Sequence, residues 1–356
     1  MMTDGTARAW VDVDLAALVR NARTVAARSG SRLLPMVKAN GYGLGAVPVA
    51  RALEALDPWG FGVATPEEGA ELRAAGIVRP IVVFTPFLPA WRDACLAAGL
   101  TPAIGDLGAL AAWRDTGRPF QLELDTGMGR AGIRWDDRAA LDAVADALRG
   151  GAACEALFTH FHSADLDDTA TDLQWLRFQE LLRALPSRPG LVHVANSAAA
   201  MRGPRFGADL VRPGIFLYGG HAHEAPEPVA ALRARVVAVR RLAAGDTVSY
   251  GATFRARTPR TIATLAAGYA DGVHRALSNR GRAELAGRPV RIAGRVTMDM
   301  TLLDVGRRRV APGDVVTVWG GAVSLDAQAA AARTISYELL TSLGRRLERR
   351  YSGGHG

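Results

Sequence analysis

The chain has 356 residues, more than one domain usually holds, with 49% hydrophobic residues and a formal net charge of +8. No apolar run reaches the roughly 18 residues of a membrane-spanning helix. Residues 1–11 carry Asp4, Arg8 and Trp10 where an export signal would be apolar, so no membrane and a cytoplasmic location are expected. Cys95 and Cys154 make neither a disulfide framework nor a zinc spacing. The basic residues are scattered. Their dense runs, 307–309 and 345–350, read as a solvated turn and the exposed face of a terminal helix, so no nucleic-acid partner is expected.

Taken in chain order, residues 1–12 suggest a strand packing with a later domain, and residues 13–219 then alternate two patterns. Short apolar runs at 32–37, 59–65, 80–84, 100–104, 119–125, 153–160, 191–196 and 209–214 read as strands. Stretches with helical periodicity lie between them at 45–57, 66–75, 89–98, 106–115, 136–149 and 168–184. Thr65-Pro66-Glu67-Glu68 is a helix start, with a capping hydroxyl, proline in the first turn and acids behind it. Eight strands alternating with helices point to an α/β fold, a (β/α)8 TIM barrel over 13–225. An open doubly wound sheet is the alternative. After Gly220 a polar, proline-bearing linker leads to β-like segments at 236–239, 247–250, 260–265, 290–292, 300–305 and 315–318. These indicate a β-rich domain over 226–356, closed by a helix from about 336 to 350.

On this scheme the reactive residue types gather at the C-terminal ends of strands, where such barrels carry active sites. Lys38 follows the first strand, Asp125 ends the fifth, His160 ends the sixth, Asn196-Ser197 follows the seventh and Arg212 lies in the eighth. The small residues of 195–198 and 212–215 suit a phosphate. Of the 43 basic residues only Lys38 is a lysine. Arginine supplies charge but no nucleophilic amine, whereas lysine can condense with an aldehyde. A chain that uses arginine everywhere else has kept one amine, between an apolar strand and a glycine-rich loop.

The segments Val37-Lys38-Ala39-Asn40-Gly41-Tyr42-Gly43, Leu124-Asp125-Thr126-Gly127-Met128-Gly129-Arg130, Ala195-Asn196-Ser197-Ala198, Val211-Arg212-Pro213-Gly214-Ile215, Val248-Ser249-Tyr250-Gly251 and Gly294-Arg295-Val296-Thr297-Met298-Asp299 follow one another along nearly the whole chain. In order and spacing this pattern resembles the alanine racemases, which are fold-type III enzymes dependent on pyridoxal 5'-phosphate. The resemblance implies interconversion of L- and D-alanine, for peptidoglycan, by a homodimer whose sites mix both subunits. It implies that Lys38 holds the cofactor and that Tyr42, Ser197, Gly214, Ile215 and Tyr337 hold its phosphate. Arg212 would face the pyridine nitrogen, with His160 bonded to Arg212, and Arg130 would contact the phenolic oxygen and the substrate carboxylate. Tyr250, the second base, would come from the other subunit with the substrate-binding residues Tyr269 and Met298. A free tyrosine titrates near 10, so positive charge from Arg212 and His160 would help it act as a base.

Many relatives carry a carbamylated lysine where this chain has Glu123, which is expected to orient Arg130 directly. Other readings are a serine or broad-specificity racemase, a basic amino-acid decarboxylase, a non-catalytic pyridoxal phosphate-binding protein and a metal-dependent hydrolase. For the last, His160, His162 and Asp165 are the candidates, but His-x-His alone is weak and no metal is expected.

Overall fold

A computed structural model describes residues 6–166, 169–186 and 190–354. Residues 1–5 of the expected N-terminal strand and the expected helix start at 168 lie outside the described residues. Strand β1 (Ala9–Asp14) leads into a helix (Leu15–Ser29) whose first turn is capped by the Asp14 carboxylate, accepting from Ala17 N. All eight expected barrel strands follow: β2 (Arg32–Leu33), β3 (Phe61–Val63), β4 (Ile81–Val83), β5 (Thr101–Ile104), β6 (Phe120–Asp125), β8 (Cys154–Phe158), β9 (Leu191–His193) and β10 (Leu210–Val211). A short β7 (Ile133–Arg134) pairs with β6 beside them. The parallel order is β2-β10-β9-β8-β6-β5-β4-β3.

The ring closes between its first two strands. Trp59 N donates to Leu33 O, Gly62 N to Pro35 O and Val37 N to Gly62 O, each at 2.8 Å. A closed barrel rather than an open sheet is therefore the architecture. Its strands are buried on both faces, which is why they read as short, nearly unbroken apolar runs.

The second domain is built on β11 (Ala230–Leu242), β12 (Thr247–Val248), β13 (Phe254–Arg255), β14 (Arg260–Leu265), β15 (Arg282–Leu285), β16 (Arg288–Ile292), β17 (Thr301–Gly306), β18 (Val315–Trp319) and β19 (Glu348–Ser352). β11 pairs with β18 along its first half and with β14 along its second, so β11, β14, β17, β16, β15 and β18 form a closed antiparallel ring. A bulge between Val236 and Ala238 lets one strand serve both partners. β1 joins this sheet, antiparallel to β11 and parallel to β19.

Three expectations fail here. The strand expected at 236–239 starts six residues earlier, at Ala230. The segment expected at 247–250 stops at Val248, and Tyr250 begins a separate turn, Tyr250–Ala252. The expected helix over 336–350 ends at Thr341; 342–347 form turns, and its last three residues belong to β19. The arginines of 345–350 are not a solvated helix face. Arg349 donates to the carbonyls of Gly43, Leu343, Gly344 and Leu347, and Arg350 stacks 4.5 Å above the Trp10 ring. Arg346 holds Asp271 and Asp299. Partners distant in sequence decide this segment, and local periodicity cannot display them.

Candidate active site

Lys38 stands where β2 runs out. Lys38–Tyr42 has the hydrogen bonds of one helical turn, but Ala39, Asn40, Gly41 and Tyr42 all have left-handed φ, from 53° to 60°. For residues with a Cβ this costs about 1–2 kcal/mol each, and Asn tolerates it best. The turn persists because its groups are bound: Gly41 N donates to Val37 O, Gly43 N to Ala39 O, and the Asn40 side chain accepts from Ala46 N. It places Lys38 on the wall of a cavity of about 240 Å³ at the C-terminal rim of the barrel. Burial pulls the amine's pKa below its ordinary value; Arg130 and Arg212 act the same way and Glu68 opposes them.

Opposite lies Arg212, fully buried at the end of β10. Its Nη1 donates to His193 Nδ1 at 2.6 Å and to His193 O at 3.0 Å. Its Nη2 donates to Thr159 O at 2.8 Å, Val194 O at 3.2 Å and His160 Nδ1 at 3.3 Å. Guanidinium only donates, so His193 Nδ1 accepts, and the ring proton sits on Nε2, 2.8 Å from Gln121 Oε1. Gln121 Nε2 in turn donates to Glu155 at 3.0 Å. A chain of buried polar groups thus runs from Glu155 to Arg212 and sets both tautomer and direction. Burial, aided by Arg212, keeps His193 neutral. Burial also pulls Arg212 down to about 10, leaving it charged at neutral pH. Its Nε–H alone has no partner among the described residues.

His160 is pushed down to about 3, by burial and then by Arg212, Arg130 and Lys38. It is therefore uncharged at neutral pH, and only Arg212 of the two expected cations supplies charge here. His162 is exposed and bonds to Ser163 Oγ.

At the other end of the cavity the Ser197 hydroxyl accepts from Gly214 N at 2.8 Å and from Phe216 N at 3.4 Å, leaving its own proton free to donate inward. A Cβ at Gly214 would collide with the Tyr42 hydroxyl, so glycine is required for this approach. Tyr42 is buried, stacked 4.3 Å from Tyr218 and 6.0 Å from the tilted Tyr337 ring. Burial raises its pKa, and raises that of Tyr337 to about 12 with a contribution from Asp165. Neither hydroxyl has a hydrogen-bond partner among the described residues. Ile215 completes this wall.

Glu123 and Arg130 complete the rim. Asp125 accepts from Gly127 N at 2.9 Å and from Gly129 N at 3.1 Å, folding the loop that presents Arg130. Gln174 braces this loop to the next, donating to His160 O at 3.0 Å and accepting from His162 N at 3.0 Å. Glu123 is 6% exposed, and its carboxylate forms no hydrogen bond among the described residues, not even with Arg130. Burial raises its pKa, Arg130 and Arg212 lower it, and Asp125 raises it further.

Ten expected residues therefore share one cavity: Lys38, Tyr42, Glu123, Arg130, His160, Ser197, Arg212, Gly214, Ile215 and Tyr337. Tyr250, Tyr269 and Met298 do not line it. They stand on the second domain, 71%, 42% and 53% exposed. Asn196, expected at this rim but given no role, also lines the cavity; the apolar liners Met36, Phe84 and Phe158 were not among the expected site residues, nor were the supporting His193 and Gln121. The polar alternation of Gln121, Glu123 and Asp125 on β6 was a usable signal for Gln121, since it marks a face turned to a barrel interior. Among the described residues no group of three His, Cys, Asp or Glu side chains is placed to hold a metal.

This cavity suits a phosphate-bearing aldehyde. It offers the only amine on a lysine side chain, a serine hydroxyl and two unpaired phenols at one end, and a free Nε–H on a buried arginine at the other. With a barrel and a second, β-rich domain, these features define the barrel class of pyridoxal phosphate enzymes. The profile of the alanine racemase N-terminal domain matches residues 13–222 and that of the C-terminal domain residues 229–351. An alanine racemase of Acidiphilium cryptum is 40% identical over 349 residues, 95% of this chain and 97% of that protein. Another from Deinococcus radiodurans is 38% identical, covering 96% and 99%. Among solved structures, alanine racemase from Streptomyces lavendulae superposes with a TM-score of 0.90 at 34% identity, covering 98% of both chains. That from Bartonella henselae, with covalently bound pyridoxal phosphate, gives 0.91 at 30% identity, covering 97% of this chain and 100% of that one. The chain belongs to the alanine racemase family.

Proposed function

We propose that this chain interconverts L- and D-alanine with Lys38 and Tyr250 as the two proton-transferring groups, Tyr250 reaching the cavity from a second copy. The observation that carries this reading is the lone lysine on the wall of a cavity lined by Ser197, Tyr42, Tyr337 and Arg212, while the phenol needed on the opposite face stands exposed elsewhere on the same chain. Bound pyridoxal phosphate would supply condensation with the substrate amine and an electron-withdrawing ring that acidifies the α C–H bond.

This chain's residues would do the rest. Lys38 would hold the cofactor. Tyr42, Ser197 and Tyr337 would donate to its phosphate, with the backbone N–H groups of Gly214 and Ile215 beside them. Arg212, through its free Nε–H, would face the ring nitrogen and, being cationic, give it no proton; that limits side reactions by limiting electron withdrawal. Arg130 would hold the substrate carboxylate and the phenolic oxygen, oriented by Glu123. Lys38 would exchange the proton on one face of the α-carbon and Tyr250 of the second copy on the other. Its lowered pKa makes the Lys38 amine available as a base nearer neutrality than an ordinary lysine. Tyr269 and Met298 of the second copy would bound the substrate space. A homodimer follows, in the cytoplasm, feeding D-alanine to peptidoglycan.

The test is incubation of pure L-alanine with enzyme and pyridoxal phosphate in deuterium oxide. D-Alanine carrying deuterium at the α-carbon is the expected product. Unlabelled or absent D-alanine would sink the reading.

A further inference from the structure

The left-handed turn after Lys38 is held from outside by one side chain. Glu68 lies in the first turn of the helix Pro66–Ala74, behind the cap Thr65. A glutamate there commonly folds back on its own cap residue. Here its Oε1 accepts from Ala39 N at 2.6 Å and its Oε2 from Ala64 N at 2.7 Å. Ala39 directly follows Lys38, and Ala64 directly follows the last residue of β3. A single carboxylate therefore binds the backbone two residues past Val37, which bonds to Gly62 O at the barrel closure, and one residue past β3.

We propose that Glu68 is a positioning residue for the reactive amine: its carboxylate staples the turn after Val37 to the end of β3, holds the left-handed turn that carries Lys38, and sits against the backbone N–H next to the amine-bearing residue. The groups acting on or facing Lys38 come from four elements. Arg130 follows β6 and Arg212 ends β10; both disfavour the ammonium. His160 follows β8 and is neutral. Glu68 favours the ammonium, and a second carboxylate, Glu123 on β6, lines the same cavity. The inference rests on Lys38 being the cofactor-bound amine.

Because the chain has one lysine, protein grown on lysine labelled with carbon-13 at Cε shows a single side-chain signal, and its titration in the full chain stripped of cofactor reads this amine directly. Glu68→Gln keeps the shape and one acceptor oxygen but loses the charge. It is expected to move the titration to lower pH and to speed hydrogen exchange at the Ala39 amide. Glu68→Asp keeps the charge on a shorter arm and should titrate between the glutamine variant and the wild type.

A glutamine variant that titrates with the wild type overturns the proposal. So does one that titrates higher, since the amine would then have gained water and the carboxylate would be only a strut. An aspartate variant titrating with the glutamine variant overturns it as well, and this arm stands alone if the glutamine variant does not fold. Adding pyridoxal phosphate to the wild type tests the underlying reading separately. A signal that moves with cofactor yet ignores Glu68→Gln sinks the staple alone, whereas a signal indifferent to cofactor sinks the assignment of Lys38.

Discussion

The barrel rim and the loops bearing Tyr250, Tyr269 and Met298 are held in opposite ways. At the rim, Arg212 donates five hydrogen bonds, Asp125 folds the Arg130 loop and Ser197 binds two backbone amides. In the second domain Tyr250 projects from the β12–β13 hairpin with no hydrogen bond among the described residues, and Met298 is half exposed. Ordered backbone carrying uncovered apolar side chains is what an interface looks like before its partner arrives. On the proposed reading, one chain contains a finished half-site and the unfinished complement of another.

The comparison breaks most sharply if the finished half is emptied. Lys38→Ala should abolish the cofactor's visible absorbance and lower racemisation by about 10⁴-fold or more, as loss of both attachment and a proton-transfer group requires. A coloured, active variant would contradict the assignment. Next, Tyr250→Phe should keep the absorbance, which borohydride still bleaches, while racemisation falls by about 10²–10⁴-fold. Retained turnover would mean that the exposed phenol belongs to no site.

The second domain does have one firmly held point. Asp271, with no exposed side-chain surface, accepts from Arg8 at 2.6 Å, Arg346 at 2.7 Å and Gly268 N at 3.0 Å, pinning the loop of Tyr269. Asp271→Asn should cost about 2–4 kcal/mol in urea unfolding, the lower end because both arginines are partly exposed. Burial pushes the Asp271 pKa up, but the two arginines outweigh it, and the net value is lowered. Its contribution is therefore complete above the ordinary carboxylate range and is lost as pH falls through the lower folded value. Acid unfolding of the variant should lack that component; identical acid profiles would remove Asp271 as the anchor.

The smallest effect concerns Glu123. Glu123→Gln is expected to raise KM for alanine about tenfold, since Arg130 loses a neighbouring charge that acts on it without a hydrogen bond, with no response to carbon dioxide in either enzyme. Unchanged kinetics would leave Arg130 without this orienting partner.

The barrel was legible because each of its strands is short, apolar and bounded by turn residues, and because its reactive side chains sit at strand ends. Lys38 was legible from composition alone. Less visible was anything that depends on a distant partner. His193 in Leu191–His193 sits in an apolar strand and gains meaning only beside Arg212 and Gln121. The run Leu347-Glu348-Arg349-Arg350 has helical composition, yet β1 offers it a strand edge from the far end of the chain. Glu68 looked like an ordinary first-turn acid, and its bonds to Ala39 and Ala64 required knowing which strands meet.

That last strand carries a consequence for biosynthesis. β1 leaves the ribosome well before its partners β11 and β19, which lie more than 200 and more than 300 residues later in the register Val11 to Leu232 and Arg349. The second domain can take its final form only after β19 has been made. Until then β1 is an unpaired edge that nascent-chain chaperones would have reason to cover.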